Sequence, residues 1–224
     1  MEFMNEKEKF EAQGADYKPF LDALLSGNQM KCSQLTDEFL QHEPDVKLLY
    51  EEIYKKSLYA VGELWEYNKI SVATEHLASA IVESLLNKLY YRNLAHVTPR
   101  KKTVIVSCVQ NEFHQIGLKM ISDVFEINGW NSHFLGANTP TTELIHYAKL
   151  INPDLIAVSL SIYFNLPNLI SMVHDIRNNF PELPILVGGQ AFRHVGTDAF
   201  SAVDLIHYYP DLMSTESYIQ QFNT

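Results

Sequence analysis

Residues 103–129 read TVIVSCVQNEFHQIGLKMISDVFEING. Thr103 to Val109 is a β-branched, apolar run, which predicts a strand. A helical stretch follows from His114 to Asn128. The alternation continues along the chain, with strand-like Trp130–Leu135, helical Thr141–Ile151, strand-like Leu155–Leu160, helical Leu166–Phe180 and strand-like Ile185–Val187. A short helix near Thr197–Phe200, a strand at Val203–Ile206 and a closing helix over 211–222 complete the pattern. Several of these strands are apolar continuously rather than at every second residue. That composition predicts a parallel sheet covered on both faces, here a flavodoxin-like (Rossmann-type) five-stranded sheet of order 2-1-3-4-5.

Upstream of Thr98-Pro99-Arg100 the chain reads as helices only. The first carries Phe20, Leu21, Leu24 and Leu25 and stops at Gly27-Asn28, a C-cap signal. The second spans about Gln29 to His42. The third buries a stripe of Val46, Tyr50, Ile53, Ser57, Ala60 and Leu64, and ends at Tyr67-Asn68-Lys69. Ser71 caps the fourth, which runs to about Arg92 with Leu77, Ile81, Leu85 and Leu89 at i+4 steps. The predicted organisation is a polar leader over 1–15, a four-helix bundle over 16–98 and the α/β domain over 99–224.

Composition narrows the function. Of the 224 residues, 17 are Lys or Arg and 27 are Asp or Glu, a formal net charge of −10 that disfavours binding to a phosphate backbone. The one basic cluster, Arg100-Lys101-Lys102, reads as a solvated linker. No apolar run is long enough to span a membrane, and Met1–Phe10 has no apolar core of a signal peptide. Cys32 and Cys108 form neither a metal-spaced pair nor a disulfide framework; they fit small buried side chains in a reducing cytoplasm.

In an open parallel sheet, ligands bind at the carboxyl ends of the strands, near the point where strand order reverses. The first strand ends in Gln110-Asn111-Glu112-Phe113-His114-Gln115-Ile116-Gly117, the third in Ser159-Leu160-Ser161 and the fourth in Gly188-Gly189. Those loops contain no Gly-x-Gly-x-x-Gly, no P-loop and no acidic set of a phospho-acceptor domain. They offer instead a carboxylate two residues before an imidazole, and a glycine three residues after it. One ring nitrogen of such a histidine can bind a metal while the other donates its hydrogen to the carboxylate.

Glu112-x-His114-x-x-Gly117, then Ser159, then Gly188-Gly189, resembles the signature of cobalamin (vitamin B12)-binding domains. The resemblance implies that His114 replaces the cofactor's own base as lower axial ligand of cobalt. It also implies that the displaced nucleotide tail enters a slot lined by Gly117, Ser159, Ser161, Gly188 and Gly189. In the helical half, Trp65, nine residues, then Glu75-His76 resembles the cap of light-responsive, adenosylcobalamin-dependent regulators, where the pattern covers the upper face of the cofactor. Small neighbours, Ala73 and Ala80, flank His76 on its helix and leave room for a flat macrocycle. Taken singly, Trp65 reads equally as a bundle-core aromatic, Glu75 as a solvated charge and His76 as a core histidine.

The chain departs from the family pattern in three places. Glu112 stands where Asp is usual, the serine motif reads Ser159-Leu160-Ser161, and Glu66 follows Trp65 where relatives can carry a cobalt-ligating histidine. About 15 residues precede the bundle, so a family DNA-binding domain is not expected within this sequence, nor is direct nucleic-acid binding. The resemblance implies a cobalamin sensor, responsive to light, acting through a protein partner or self-association. The alternative is a corrinoid methyl carrier that binds methylcobalamin and serves a methyltransferase. Independent enzyme activity is not expected, because an adenosylcobalamin mutase would need a catalytic barrel that this length does not accommodate.

Overall fold

A computed structural model describes residues 16–94, 97–192, 200 and 204–222. The expected leader over 1–15 lies outside the described residues, as does the expected short helix apart from Phe200. The chain divides into two compact units, Met1–Asn93 and Leu94–Thr224.

The first unit is helical. Helix α1 (Lys18–Leu25) has Pro19 in its first turn, where a missing N–H costs nothing. It closes on Gly27, at φ +67°, and Asn28 then caps α2 (Gln29–His42) by accepting the Lys31 N–H at 3.0 Å. Asp45 caps α3 (Val46–Leu48) in the same way. A π-helical stretch, Leu49–Lys55, leads directly into α4 (Lys56–Glu66), and α5 (Val72–Leu94) starts where Ser71 Oγ accepts the Thr74 N–H at 3.1 Å.

The π stretch changes which side chains are buried. Its i→i+5 winding widens the inward face, so Leu49, Tyr50, Ile53 and Tyr54 are all buried. Beyond it the inward positions are Ser57 and Val61, and the expected Ala60 and Leu64 are only half-buried. Tyr54 stacks on Phe20 and Tyr50, with ring centroids 5.1 and 5.9 Å apart. On α5 the expected stripe holds from Ile81 onward, but Leu77 is 49% exposed; Ala78, Val82 and Leu86 take the inward positions instead.

The second unit alternates β1 (Thr103–Cys108), α6 (Ile116–Ile127), β2 (Asn131–Gly136), α7 (Thr141–Ile151), β3 (Leu155–Ser159), α8 (Leu166–Asn179), β4 (Ile185–Gly188), β5 (Ile206–Tyr208) and α9 (Leu212–Gln221). All neighbouring strands are parallel in the order β2-β1-β3-β4-β5, as the sequence predicted. Every residue of β3, and all but the first of β1, is buried, because these strands sit inside the sheet; Ile105, Ile156 and Val158 pack with Leu169, Met172 and Val173 of α8.

Several boundaries differ from the expectation. His114 and Gln115 precede α6 instead of opening it. The last strand starts at Ile206, because Leu205 adopts φ +58° in the turn before it; Val203 lies outside the described residues. Lys102, expected in a solvated linker, pairs with Asp154 at 2.7 Å. Cys32 and Cys108 are buried and free, with burial pushing the thiols up to about 11 and about 12; the Glu112 charge adds to the effect at Cys108. Among the described residues no helix is long and apolar enough to cross a membrane.

Inside the helical unit, Thr36 Oγ1 and Tyr54 Oη, both fully buried, share a hydrogen bond of 2.8 Å. Tyr54→Phe leaves the threonine hydroxyl unpaired and is expected to cost about 1–3 kcal/mol. Thr36→Val with Tyr54→Phe is expected to cost less than the two single changes added together. Urea denaturation of the four members of this double-mutant cycle measures the coupling.

Candidate functional site

The sheet register brings the three strand ends into one row. Cys108 of β1 pairs with Ser159 of β3, and Ser159 pairs with Gly188 of β4. The loops leaving these positions therefore emerge on one edge, beside the reversal of strand order between β1 and β3.

The loop after β1 is built around Glu112, whose side chain is 1% exposed. One carboxylate oxygen, Oε1, accepts from His114 Nδ1 at 2.5 Å and from the His114 backbone N–H at 3.1 Å. The other, Oε2, accepts the backbone N–H groups of Ser161 and Ile162, each at 2.9 Å. Burial by itself pushes this carboxyl up. The His114 ring and the N–H groups of Ile162, His114 and Ser161 outweigh it, holding the group down to about 2. At neutral pH Glu112 is thus a carboxylate, which only accepts, so Nδ1 carries the hydrogen of this bond and Nε2 is the ring nitrogen turned away from the carboxylate.

Asparagines complete the frame. Asn111 adopts φ +68° and Asn138 φ +51°, conformations that asparagine tolerates better than most residues. The Asn111 N–H donates to Asn138 Oδ1 at 2.9 Å, the Asn138 N–H donates to the Glu112 carbonyl at 2.8 Å, and Asn165 Nδ2 donates to the Asn111 carbonyl at 3.1 Å. Loops from β1, β2 and β3 are therefore locked to one another, with the His114 side chain left 54% exposed above them.

The expected lining residues separate into different jobs. A Cβ added at Gly117 or Gly188 would meet nothing within 4 Å, so both leave open space beside the strand ends. Gly189 is different: at φ +109° its Cβ would overlap the Leu160 backbone, so glycine is required there by close approach. Ser159 is buried at its strand end, while Ser161 contributes its backbone N–H to Glu112.

Sequence reasoning missed the apolar side chains around His114. Phe113, Ile162, Tyr163 and Phe164 are all exposed, Phe164 at 87%. Adjacent aromatics in a loop leaving a buried strand were the available signal, and they give the edge an apolar rim suited to a large flat ligand.

In the helical unit, Trp65 lies in the last turn of α4 and is 46% exposed, so it is not a bundle-core aromatic. Glu75 and His76 lie in the first turns of α5. Glu75 Oε2 accepts from His76 Nδ1 at 2.5 Å and Oε1 accepts from Ser79 Oγ at 2.9 Å. The His76 side chain is 74% exposed, which excludes a core histidine. Ala73, Leu77 and Ala80 are exposed on the same helix.

These features fit cobalamin. Among the described residues no three His, Cys, Asp or Glu side chains could hold a metal ion together. A macrocycle brings most of its metal's ligands with it and asks the chain for an axial donor, a role that the His114 ring fits. The donor is oriented, the glycines leave room and the rim is apolar.

A helical unit joined to a Rossmann-like unit with an oriented histidine at the strand ends defines a cobalamin-binding class of protein. Family models described as B12 binding domain match both units, over residues 17–90 and 102–208, and the chain belongs to that family. The HTH-type transcriptional repressor CarH of Myxococcus xanthus is 28% identical over 77% of this chain and 57% of its own length. Trimethylamine corrinoid protein 1 of Methanosarcina acetivorans is 20% identical over 83% of this chain and 91% of its own. The chain spans about half the length of the first curated relatives it matches, at 57%, 43% and 52%. Among solved structures, the Methanosarcina barkeri monomethylamine corrinoid protein shares the fold, with a TM-score of 0.71 and 14% identity over 90% of this chain and 95% of that one.

Two outcomes follow from this geometry. Glu112→Ala removes the acceptor of the part-buried Ser161 and Ile162 N–H groups and is expected to destabilise the second unit by about 1–3 kcal/mol, read by chemical denaturation. The folded carboxyl lies below its unfolded value of about 4.3, so its contribution is complete above that pH and is lost as pH falls toward about 2. Acid titration of wild type and Glu112→Ala is expected to converge in that window. Gly189→Ala is expected to cost about 2 kcal/mol or more, while Gly188→Ala stays within about 1 kcal/mol.

Proposed function

We propose that the chain is a cobalamin-dependent signalling protein, a photoreceptor that binds adenosylcobalamin base-off. His114 is the lower axial ligand through Nε2, and Trp65, Glu75 and His76 cover the upper face. The observation that carries this reading is the exposed Trp65 together with the Glu75–His76 pair in the helical unit. This is the pattern that resembles light-responsive regulators. The 28% identity to a transcriptional repressor supports it.

Bound adenosylcobalamin supplies a cobalt–carbon bond that visible light cleaves. The chain supplies the rest. Glu112 fixes the tautomer and orientation of His114 and makes Nε2 a stronger donor. Gly117 and Gly188 give the nucleotide tail room, with Ser159 and Ser161 at its slot. Trp65 excludes water from the upper group, and the Glu75 carboxylate offers an acceptor to its hydroxyls. Losing that group changes the packing at Trp65, and two packings around one cofactor bias association with a partner protein or a second copy.

One observation favours a second reading. Trimethylamine corrinoid protein 1 matches over nearly its whole length, so a corrinoid methyl carrier serving a methyltransferase shares both units. In that case methylcobalamin is the bound form and cobalt chemistry, not light, is the task.

The purified chain, loaded with adenosylcobalamin in the dark, is expected to show a His-ligated, base-off spectrum that His114→Ala abolishes. Green light is expected to change both the spectrum and the elution volume on a sizing column. His114-dependent binding that is silent to light assigns the chain to the carriers. Absence of binding overturns both readings.

A further inference from the structure

Two inward stripes are written into one helical segment of the first unit. By sequence, Val46, Tyr50, Ile53, Ser57, Ala60 and Leu64 recur at alternating steps of four and three, an unbroken α-helical period. In the structure the π-helical stretch Leu49–Lys55 intervenes; beyond it Ser57 and Val61 are buried, while Ala60 and Leu64 are half-buried. A π turn holds one residue more than an α turn, so the buried line moves one position along α4, from Ala60 to Val61. Trp65, four residues after Val61, stands on that line in the last turn of α4 and is 46% exposed.

Either stripe offers apolar side chains to the core: Ala60 and Leu64 in one, Val61 in the other, with Ser57 common to both. The register adopted carries a cost. Just past the π stretch, Ser57 Oγ is fully buried and makes no hydrogen bond among the described residues, and an unpaired buried hydroxyl disfavours the packing that holds it. π winding is itself rare, and it is found often where a helix has a functional task. Nothing in the surrounding charges opposes α winding here: Glu51–Lys55, at 2.6 Å, and Glu52–Lys56 are pairs four apart, which are neighbours on an α-helix. The turn over 67–70 is exposed at Tyr67, Asn68 and Lys69, so a shift of α4 can be taken up there.

We propose that Leu49–Lys55 is a two-register element. In the register described above, Val61 faces the core and Trp65 follows it along α4. In the other, the stretch winds as α-helix and Ala60 and Leu64 take the core positions. The rest of α4 then turns by one residue, about 100°, and carries Trp65 off the line it now holds. No covalent bond changes and no group has to titrate. The exchange belongs to the helical unit alone and does not depend on the photoreceptor reading. A ligand or partner that touches Trp65 in one register only draws the population to that register, which makes the stretch a conformational device.

Thiol labelling of the full chain under native conditions reads the exchange. Val61→Cys reports on α4, and Ile81→Cys, in the core of α5, serves as the reference; the two positions are 1% and 3% exposed. Native Cys32 and Cys108 are buried, with thiols pushed up to about 11 and about 12, so they label slowly. Iodoacetamide is added and modification at each site is followed by peptide mass spectrometry. Val61→Cys is expected to label at least about 10-fold faster than Ile81→Cys, because a register exchange exposes it without opening the whole unit. Deleting Glu52 removes the extra residue, so that a plain α-helix carries Val61 inward and one register remains. In that background Val61→Cys is expected to fall to the Ile81→Cys rate. Circular dichroism checks the folding of each variant.

Labelling of Val61→Cys no faster than that of Ile81→Cys overturns the proposal. So does fast labelling that the deletion leaves unchanged, which is the behaviour of a fraying helix end. Should the deletion variant fail to fold, Ala60→Leu decides instead, since it adds apolar bulk to the alternative stripe: faster labelling of Val61→Cys upholds the proposal and an unchanged rate overturns it. Each of these outcomes leaves the cobalamin reading standing, because that reading is tested by the His114→Ala spectrum.

Discussion

A fully buried carboxylate is tolerable only if every lone pair has a donor, and Glu112 meets that condition by recruiting from two loops at once. Its four accepted hydrogen bonds are directional, so they fix where the β3 loop lies relative to the β1 loop. They also fix which nitrogen of His114 carries hydrogen. Orientation of the imidazole, order of the Ser161–Ile162 backbone and the placement of the aromatic rim at Tyr163 and Phe164 all follow from one side chain. The reach of the glutamate side chain lets it bond the histidine and still span to a second loop.

The sheet supplies the rigid part of this arrangement. Cys108, Ser159 and Gly188 stand in hydrogen-bonded register, so the strand ends cannot shift independently. Gly189 lets the chain turn against Leu160 directly after β4. Asn111, Asn138 and Asn165 then convert three separate loops into one connected frame. A site built this way keeps its histidine oriented before any ligand arrives, and preorganisation lowers the ordering cost of binding.

How much of this was legible depended on period. Continuous apolar runs at 103–109 and 155–160 pointed to a parallel sheet, since doubly covered strands carry that composition, and the length of the alternating half pointed to the flavodoxin-like order. The Glu112–His114 pair was legible as a spacing, and the structure adds what a spacing does not carry: the partners of the second carboxylate oxygen are backbone N–H groups. The π stretch at 49–55 was invisible to a helical template; Ser57 still points inward beyond it, but the next inward position is Val61 and not Ala60 or Leu64. Leu77 fitted an i+4 stripe with Ile81, yet the bundle's inward face there is centred on Ala78. The rim residues Phe113, Ile162 and Phe164 carried no periodic signal because they belong to loops.

Both units keep large apolar side chains in water: Trp65, Val72 and Leu77 in one, Phe113, Tyr163 and Phe164 in the other. Each such residue forgoes part of the roughly 1.5–3 kcal/mol that burial of a large apolar side chain contributes. Met30 and Leu150 are exposed elsewhere, but the residues near His76 and His114 together give each unit an apolar surface beside an oriented histidine. A ligand that covers them recovers that free energy only in the folded state, and therefore stabilises the chain by mass action as well as occupying its site. Under the proposed reading, the exposed surface couples cofactor occupancy to the stability and packing of each unit, the coupling a signalling protein requires.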